Sequence, residues 1–250
     1  MLKAVKRLLR LADKNFYTNT CNLVRTLAIG DIHGCLNSLR SIVQQANLSP
    51  EDRLILMGDY VDRGQDSRGV IDWILKKRGS IKIITLKGNH ELIMVQAAKS
   101  MANYGFWVSC GGVQTLTSYG ADMKTLFDWK TIIPQSHWNF IHETLYYYET
   151  EEMIFAHASV DSDLSLNDQN EATLLWERYF DMDPHRSGKK VICGHTPQES
   201  GLPGVFDFGY CIDTGACYGG WLTCLDVESL DYWQANEEGE KRSGILKHSP

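Results

Sequence analysis

The chain of 250 residues carries 25 Lys and Arg against 31 Asp and Glu, a formal charge of −6. That balance excludes a sequence-independent nucleic-acid binder, whose phosphate contacts need a basic surface. An apolar fraction of 43% with 10% aromatics excludes disorder and fibrous repeats, and predicts one domain able to bury a full core.

The opening stretch MLKAVKRLLRLADK sets Leu2, Val5, Leu8, Leu9 and Ala12 on one helical face and Lys3, Lys6, Arg7 and Arg10 on the other. Residues 1–20 read as a basic amphipathic helix, either docked on its own domain or touching an anionic membrane or a partner. Docking on its own core is preferred, because such a face is usually satisfied there. The stretch is too charged for a signal-peptide core, and no apolar run reaches the roughly 20 residues of a membrane span. Seven cysteines without a CxxC pair suggest reduced thiols rather than a disulfide framework or a zinc ribbon. A cytoplasmic protein is expected.

From residue 23 a regular rhythm begins. LVRTLAIG reads as a strand, and Leu36, Leu39, Ile42, Val43 and Ala46 mark a helix. LILM is a second strand, followed by a helix over 66–78. IKIITL is a third strand, with a helix from about Glu91. This β-α-β-α-β order predicts a right-handed parallel sheet. Residues 101–150 mix turn signals with helical stretches. MIFAHA, KKVICGH, YCIDTG and WLTCLDV read as later strands, and EATLLWERYF as a helix. A single domain over 21–233 and a charged C-terminal tail over 234–250 complete the expected organisation.

Polar clusters close successive apolar strands: GDIHG (30–34), GDYVDRG (58–64), GNHE (88–91) and GHT (194–196), with His157 in FAHAS. Asp31 and Asp59 are 28 residues apart, and Asp59 and Asn89 are 30 apart, about one βα unit each. The clusters therefore recur at the C-terminal ends of neighbouring strands, the edge where open α/β sheets gather ligands. One Asp or His at a strand end is usually a cap. Five such positions with mixed carboxylate, amide and imidazole donors point instead to borderline divalent metals.

GDIHG, GDYVDRG and GNHE, in this order and spacing, resemble the signature of the phosphoprotein phosphatase family of metallophosphoesterases. FAHAS, LLWERY, GHT and IDTGA resemble its bacterial and phage branch, typified by the lambda phage protein phosphatase. The resemblance covers about residues 25–228. It implies an α/β calcineurin-like metallophosphoesterase fold, with two packed mixed β-sheets flanked by helices in four layers, α/β/β/α. It also implies two divalent ions, manganese first, with iron or zinc as alternatives. Asp31, His33 and Asp59 would hold one ion. Asp59 would bridge to the second, completed by Asn89, His157 and His195.

In the same reading His90 is the general acid, oriented by Asp62, while Arg63 and Arg178 clamp the phosphate and Asn89 and Tyr218 reach it. The implied reaction is direct in-line attack on a phosphomonoester by a hydroxide bridging the two ions. The implied substrates are phosphoproteins or phosphopeptides carrying phosphoserine or phosphothreonine, with phosphotyrosine left open. One rival is a symmetrical diadenosine tetraphosphate hydrolase, a group that generally carries GNHD where this chain has GNHE. Another is a binding or scaffold protein that has lost catalysis. His137, His142, His185 and His248 lie outside every motif and read as structural. Glu91 reads as a supporting acid, and Gly111 and Gly112 as either a plain turn or a groove wall.

Overall fold

The computed structural model describes residues 24–122, 128–179 and 183–247, so the expected helix over 1–20 lies outside the described residues. Three βα units come first: β1 (Thr26–Ile29) and α1 (Leu36–Ala46), β2 (Arg53–Leu56) and α2 (Ser67–Lys77), β3 (Lys82–Thr85) and α3 (Asn89–Ala97). Local signals set their limits. α1 stops at Asn47, which takes the left-handed conformation, and α2 starts where the Asp66 carboxylate accepts the Gly69 N–H. A helical section follows: α4 (Met101–Trp107), a π-helical turn (Val108–Gly112), α5 (Val113–Ser118), α6 (Trp129–Ile132) and α7 (Gln135–Glu143).

The second half holds β4 (Tyr147–Glu149), β5 (Met153–Ala156), α8 (Glu171–Trp176), β6 (Lys190–Cys193), β7 (Gly204–Phe206), β8 (Gly209–Cys211) and β9 (Asp213–Thr214). It ends with β10 (Trp221–Asp226), β11 (Asp231–Ala235) and β12 (Lys241–Ile245). One mixed sheet runs β12-β11-β10-β1-β2-β3, with β9 paired to β10; the other runs β4-β5-β6-β8-β7. β1, β2 and β3 are parallel, as the rhythm predicts, and so are β5, β6 and β8.

Strand alternation builds the layers. Leu27, Ile29, Leu54 and Leu56 point into a core shared with α1 and α2, while Ala28 and Ile55 meet Phe155 and Ile192 of the other sheet. On the far side of that sheet, Ile154 and Val191 pack with Leu174 and Leu175 of α8. Helix, sheet, sheet and helix are thus sealed by three apolar seams, the four-layer arrangement expected.

Two expectations need correction. The helix read through EATLLWERYF ends at Trp176, because Glu177 is extended with ψ 143°. Part of the charged C-terminal tail is ordered sheet: β12 pairs along β11 from Ile245 opposite Asp231 to Lys241 opposite Ala235. Its alternation of exposed Lys241, Ser243 and Ile245 with half-buried Arg242 and Gly244 suits an edge strand, where charge discourages further pairing. The six described cysteines are free thiols, and among the described residues no helix is long and apolar enough to cross a membrane.

Candidate active site

The register that aligns Ile29 with Leu56 and Leu56 with Thr85 also aligns the loops leaving each strand. Asp31, Asp59 and Asn89 leave the ends of β1, β2 and β3, while His157 and His195 leave β5 and β6 at the facing edge of the second sheet. The chain turns abruptly there. Of seven non-glycine residues with positive φ among the described residues, five are His33, Asp59, Asp62, Arg63 and His195. Such conformations cost about 1–3 kcal/mol each, so the surrounding bonds must hold them in place. Small neighbours are also required: a Cβ on Gly88 would lie 2.0 Å from the Asp59 Oδ1, and one on Gly194 2.1 Å from the Asp31 Oδ1.

Three of the site histidines are each oriented by a main-chain carbonyl. His33 Nδ1 donates to the Val61 carbonyl at 2.8 Å and His157 Nδ1 to Met57 at 2.9 Å. His195 donates from its other nitrogen, Nε2, to Trp176 at 3.1 Å. A carbonyl only accepts, so the proton of each neutral ring is fixed and the opposite nitrogen keeps its lone pair, which on His33 accepts from Arg63. Those lone pairs converge. His33 Nε2 lies 3.2 Å from the Asp59 Oδ2, and His157 Nε2 lies 3.6 Å from the Asp59 Oδ1. The Asn89 Oδ1 lies 3.0 Å from His157 Nε2 and 3.2 Å from His195 Nδ1. Acceptors facing acceptors at this range suit cations.

Charge points the same way. Asp31, Asp59 and Asp213 are all buried. Burial, Asp213 and Asp59 push Asp31 well above the usual carboxylate range, and burial pushes Asp213 up to about 6. For Asp59 the burial effect is outweighed by His157, His90 and His33, which hold it well below that range. Buried carboxylates at this density need compensating positive charge. Among the described residues, two sets of side chains have ligand atoms within 4.8 Å of one another, His33–Asp59–His90 and Asp31–Asp59–His157, and Asp59 belongs to both. The residues present fit divalent ions and Asp59 is common to both sets, but Asp31 groups with His157 rather than with His33, and His90, expected as the general acid, falls in the other set.

His90 Nδ1 donates to the Asp62 Oδ2 at 2.7 Å. Asp62 is itself held by Trp107 Nε1 at 2.9 Å and the Thr115 hydroxyl at 2.7 Å, and the His90 backbone N–H donates to the Asp59 Oδ1 at 3.0 Å. Arg63 is half-buried, donates to His33 Nε2 at 2.7 Å and lies over the ring of Tyr218, 5.3 Å from its centroid. Tyr218 is 63% exposed and so forms the rim. Arg178 is exposed, two residues past the Trp176 carbonyl, and its charge is among those that lower His195. Gly111 accepts the Arg63 N–H, while a Cβ on Gly112 would meet the Trp107 indole at 2.6 Å; the SCGG turn thus supports Arg63 and Trp107.

Sequence reasoning missed three parts of this arrangement. Asp213 stands in IDTGA but received no role. Trp107 and Thr115, which brace Asp62, carry no local motif. Glu91 does more than a supporting acid at a helix start: its carboxylate accepts N–H bonds from Asp59, Tyr60 and Gly88, each at 2.8 Å, and from Val61 at 3.3 Å. Burial and Asp59 push it up to about 8, against those donors. The described histidines outside the motifs are structural, as expected. His137 bonds Tyr119 and Asp72, His185 bonds Ser187 and Leu164, and His142 stacks on Trp138. His248 lies outside the described residues.

The rings differ in how they titrate. Burial opposes a charge on His33, but Asp59 outweighs it and raises the ring above its ordinary value; burial and the neighbouring His157 lower His195 to about 3. An unfolded histidine protonates near its ordinary value of about 6.5, so across the window from there to about 3 the unfolded chain binds the extra proton. The stability contributed by His195 is therefore present above that window and lost as pH falls through it. In the metal-free protein, imidazole NMR resonances are expected to show His33 protonating at higher pH than His195. The reverse order would contradict the geometry.

The sequence matches the calcineurin-like phosphoesterase family over residues 24–225. It is 28% identical over 220 residues to serine/threonine-protein phosphatase 1 of Salmonella typhimurium, covering 80% of this chain and 90% of that protein. It is 26% identical over 266 residues to a symmetrical bis(5'-nucleosyl)-tetraphosphatase of Photorhabdus laumondii, covering 83% and 95%. A cold-active protein-tyrosine phosphatase from a psychrophilic Shewanella shares the fold, with a TM-score of 0.60 at 14% identity over 88% of this chain and 80% of that one. With a match across both sheets and every strand-end cluster described above, the chain belongs to the calcineurin-like phosphoesterase family.

Proposed function

We propose that this protein is a metal-dependent phosphoprotein phosphatase acting on phosphoserine and phosphothreonine. The observation that carries the reading is the convergence of the His33 and His157 Nε2 atoms on Asp59, beside the His90–Asp62 pair and Arg63. Asp31, His33 and Asp59 would hold one ion, and Asp59, Asn89, His157 and His195 the other. When bound, two such ions, manganese in this reading with iron or zinc as alternatives, supply Lewis-acid charge and a lowered pKa for water.

The chain's own residues do the rest. Arg63 and Arg178 neutralise phosphoryl oxygens with planar guanidinium forks, and Tyr218 holds Arg63 at the rim. A water oxygen bonds to phosphorus in line with the departing serine oxygen. The P–O bond to serine then breaks, and His90 gives that oxygen a proton from Nε2, leaving a free hydroxyl and inorganic phosphate. Asp62 stabilises the imidazolium before transfer and fixes its direction. The six described free thiols suit a reducing, cytoplasmic setting.

A second reading, symmetrical dinucleoside tetraphosphate hydrolysis, is favoured by the likeness to the Photorhabdus laumondii protein along nearly all of its length. Glu91, where that group generally carries Asp, favours the phosphatase. A purely binding role fits poorly, because every expected ligand, the acid and both arginines are present. The deciding experiment compares kcat/KM for phosphopeptides and for diadenosine tetraphosphate, side by side with manganese. A preference for phosphopeptides is expected; a preference for the dinucleotide would replace the first reading with the second.

A further inference from the structure

The main chain on both sides of His195 rests on the thiol of Cys211. Its sulfur lies 3.4 Å from the Gly194 carbonyl oxygen and 3.3 Å from that of Thr196. Cys211 ends β8 directly opposite Cys193 at the end of β6, and both side chains are fully buried in the seam closed by Leu174 and Leu175. The two thiols also hydrogen-bond to each other. A carbonyl oxygen accepts better than a thiol sulfur, so the Cys211 S–H is shared between the two carbonyls and the Cys193 S–H turns to the Cys211 sulfur.

We propose that Cys211 is a positioning residue for His195, its S–H clasping the carbonyls of Gly194 and Thr196. The clasp fixes where the His195 Nδ1 meets the Asn89 Oδ1, 3.2 Å away, and it rests on the reading of that pair as ligands of one ion. The loop needs such a hold. His195 has a φ of 60°, and the Thr196 hydroxyl is buried without a hydrogen-bond partner among the described residues. Two other tethers come from the ligand cluster itself: the His195 N–H donates to Asp31 at 3.1 Å and the Gly194 N–H to the His157 carbonyl at 2.8 Å. Cys211 instead ties the loop to a strand of the sheet. A thiol suits the place, because its body is apolar enough for the seam and its S–H still donates.

Variants of the full chain test this. Cys211→Ala removes the donor, and Cys211→Val removes it while refilling the volume. Cys193→Ala takes an equally buried sulfur from the same seam and leaves the clasp. In both Cys211 variants the amides of residues 194–196 are expected to exchange about 2–10-fold faster than in the wild type, the worth of one hydrogen bond. Calorimetry should show one manganese ion bound about tenfold more weakly. Cys193→Ala should show neither change, and Cys211→Ser, which restores a donor, should recover part of both. Equal effects of Cys211→Ala and Cys193→Ala would mean that only lost volume matters, and would overturn the proposal. So would a Cys211→Ser variant no better than Cys211→Ala. His195→Ala separates this role from the metal reading. Unchanged manganese affinity there removes His195 as a ligand, whereas a loss there beside wild-type exchange and affinity in Cys211→Ala refutes the positioning role alone.

Discussion

Replacing His90 by Asn is expected to lower kcat toward an alkyl phosphomonoester by about 10²–10⁴-fold while metal stoichiometry is unchanged. The variant keeps the backbone N–H that bonds Asp59, so the carboxylate between the two ligand sets stays in place. The substitution removes the proton on the imidazole and its bond to Asp62. A general acid matters in proportion to the basicity of the oxygen it protonates. The defect should therefore shrink for an aryl phosphate with an acidic leaving group and be full for a serine phosphate. That dependence separates proton donation from a displaced ligand, which would slow both substrates alike. Wild-type turnover of phosphoserine peptides by His90→Asn would remove His90 from its role.

The part of the site that could be read from sequence is the part that local chain geometry dictates. Asp31, Asp59 and Asn89 fall one βα unit apart because parallel strands recur at that interval, and the glycines beside them mark close approaches such as Gly88 to Asp59. Trp107 and Thr115 were invisible for the opposite reason. They reach Asp62 across 45 and 53 residues, through helices whose packing no short pattern records. The C-terminal hairpin was hidden by composition: an edge strand with exposed Lys241 reads as a solvated tail until its pairing with β11 is seen. Asp213 stood in a recognised motif, but its proximity to Asp31 depends on β8 of one sheet handing the chain to β9 of the other.

Asp59→Asn is expected to remove hydrolysis altogether at ordinary manganese concentrations, leaving the protein as inactive as the chelated wild type. Losing the support of a metal ligand typically weakens metal affinity 10–100-fold, and Asp59 belongs to both candidate ligand sets, so the loss should exceed that range. The substitution removes the negative charge and sets an amide NH₂ toward either His33 Nε2 or the His90 N–H, where carboxylate oxygens now lie. One of those arrangements puts donor against donor. Glu91→Gln provides the graded comparison. It leaves Asp59 intact, but an amide offers one accepting oxygen to the backbone N–H groups of Asp59, Tyr60, Val61 and Gly88. Each buried donor left unpaired costs about 1–3 kcal/mol, and the loop bearing Asp59, Asp62 and Arg63 relaxes from its positive-φ conformation. Manganese affinity in Glu91→Gln should therefore fall about 10–100-fold, with activity largely restored at high metal. Calorimetric titration of manganese into the three proteins should rank them wild type, Glu91→Gln, Asp59→Asn. Full manganese affinity in Asp59→Asn would mean that the imidazole nitrogens around it converge for a reason other than metal.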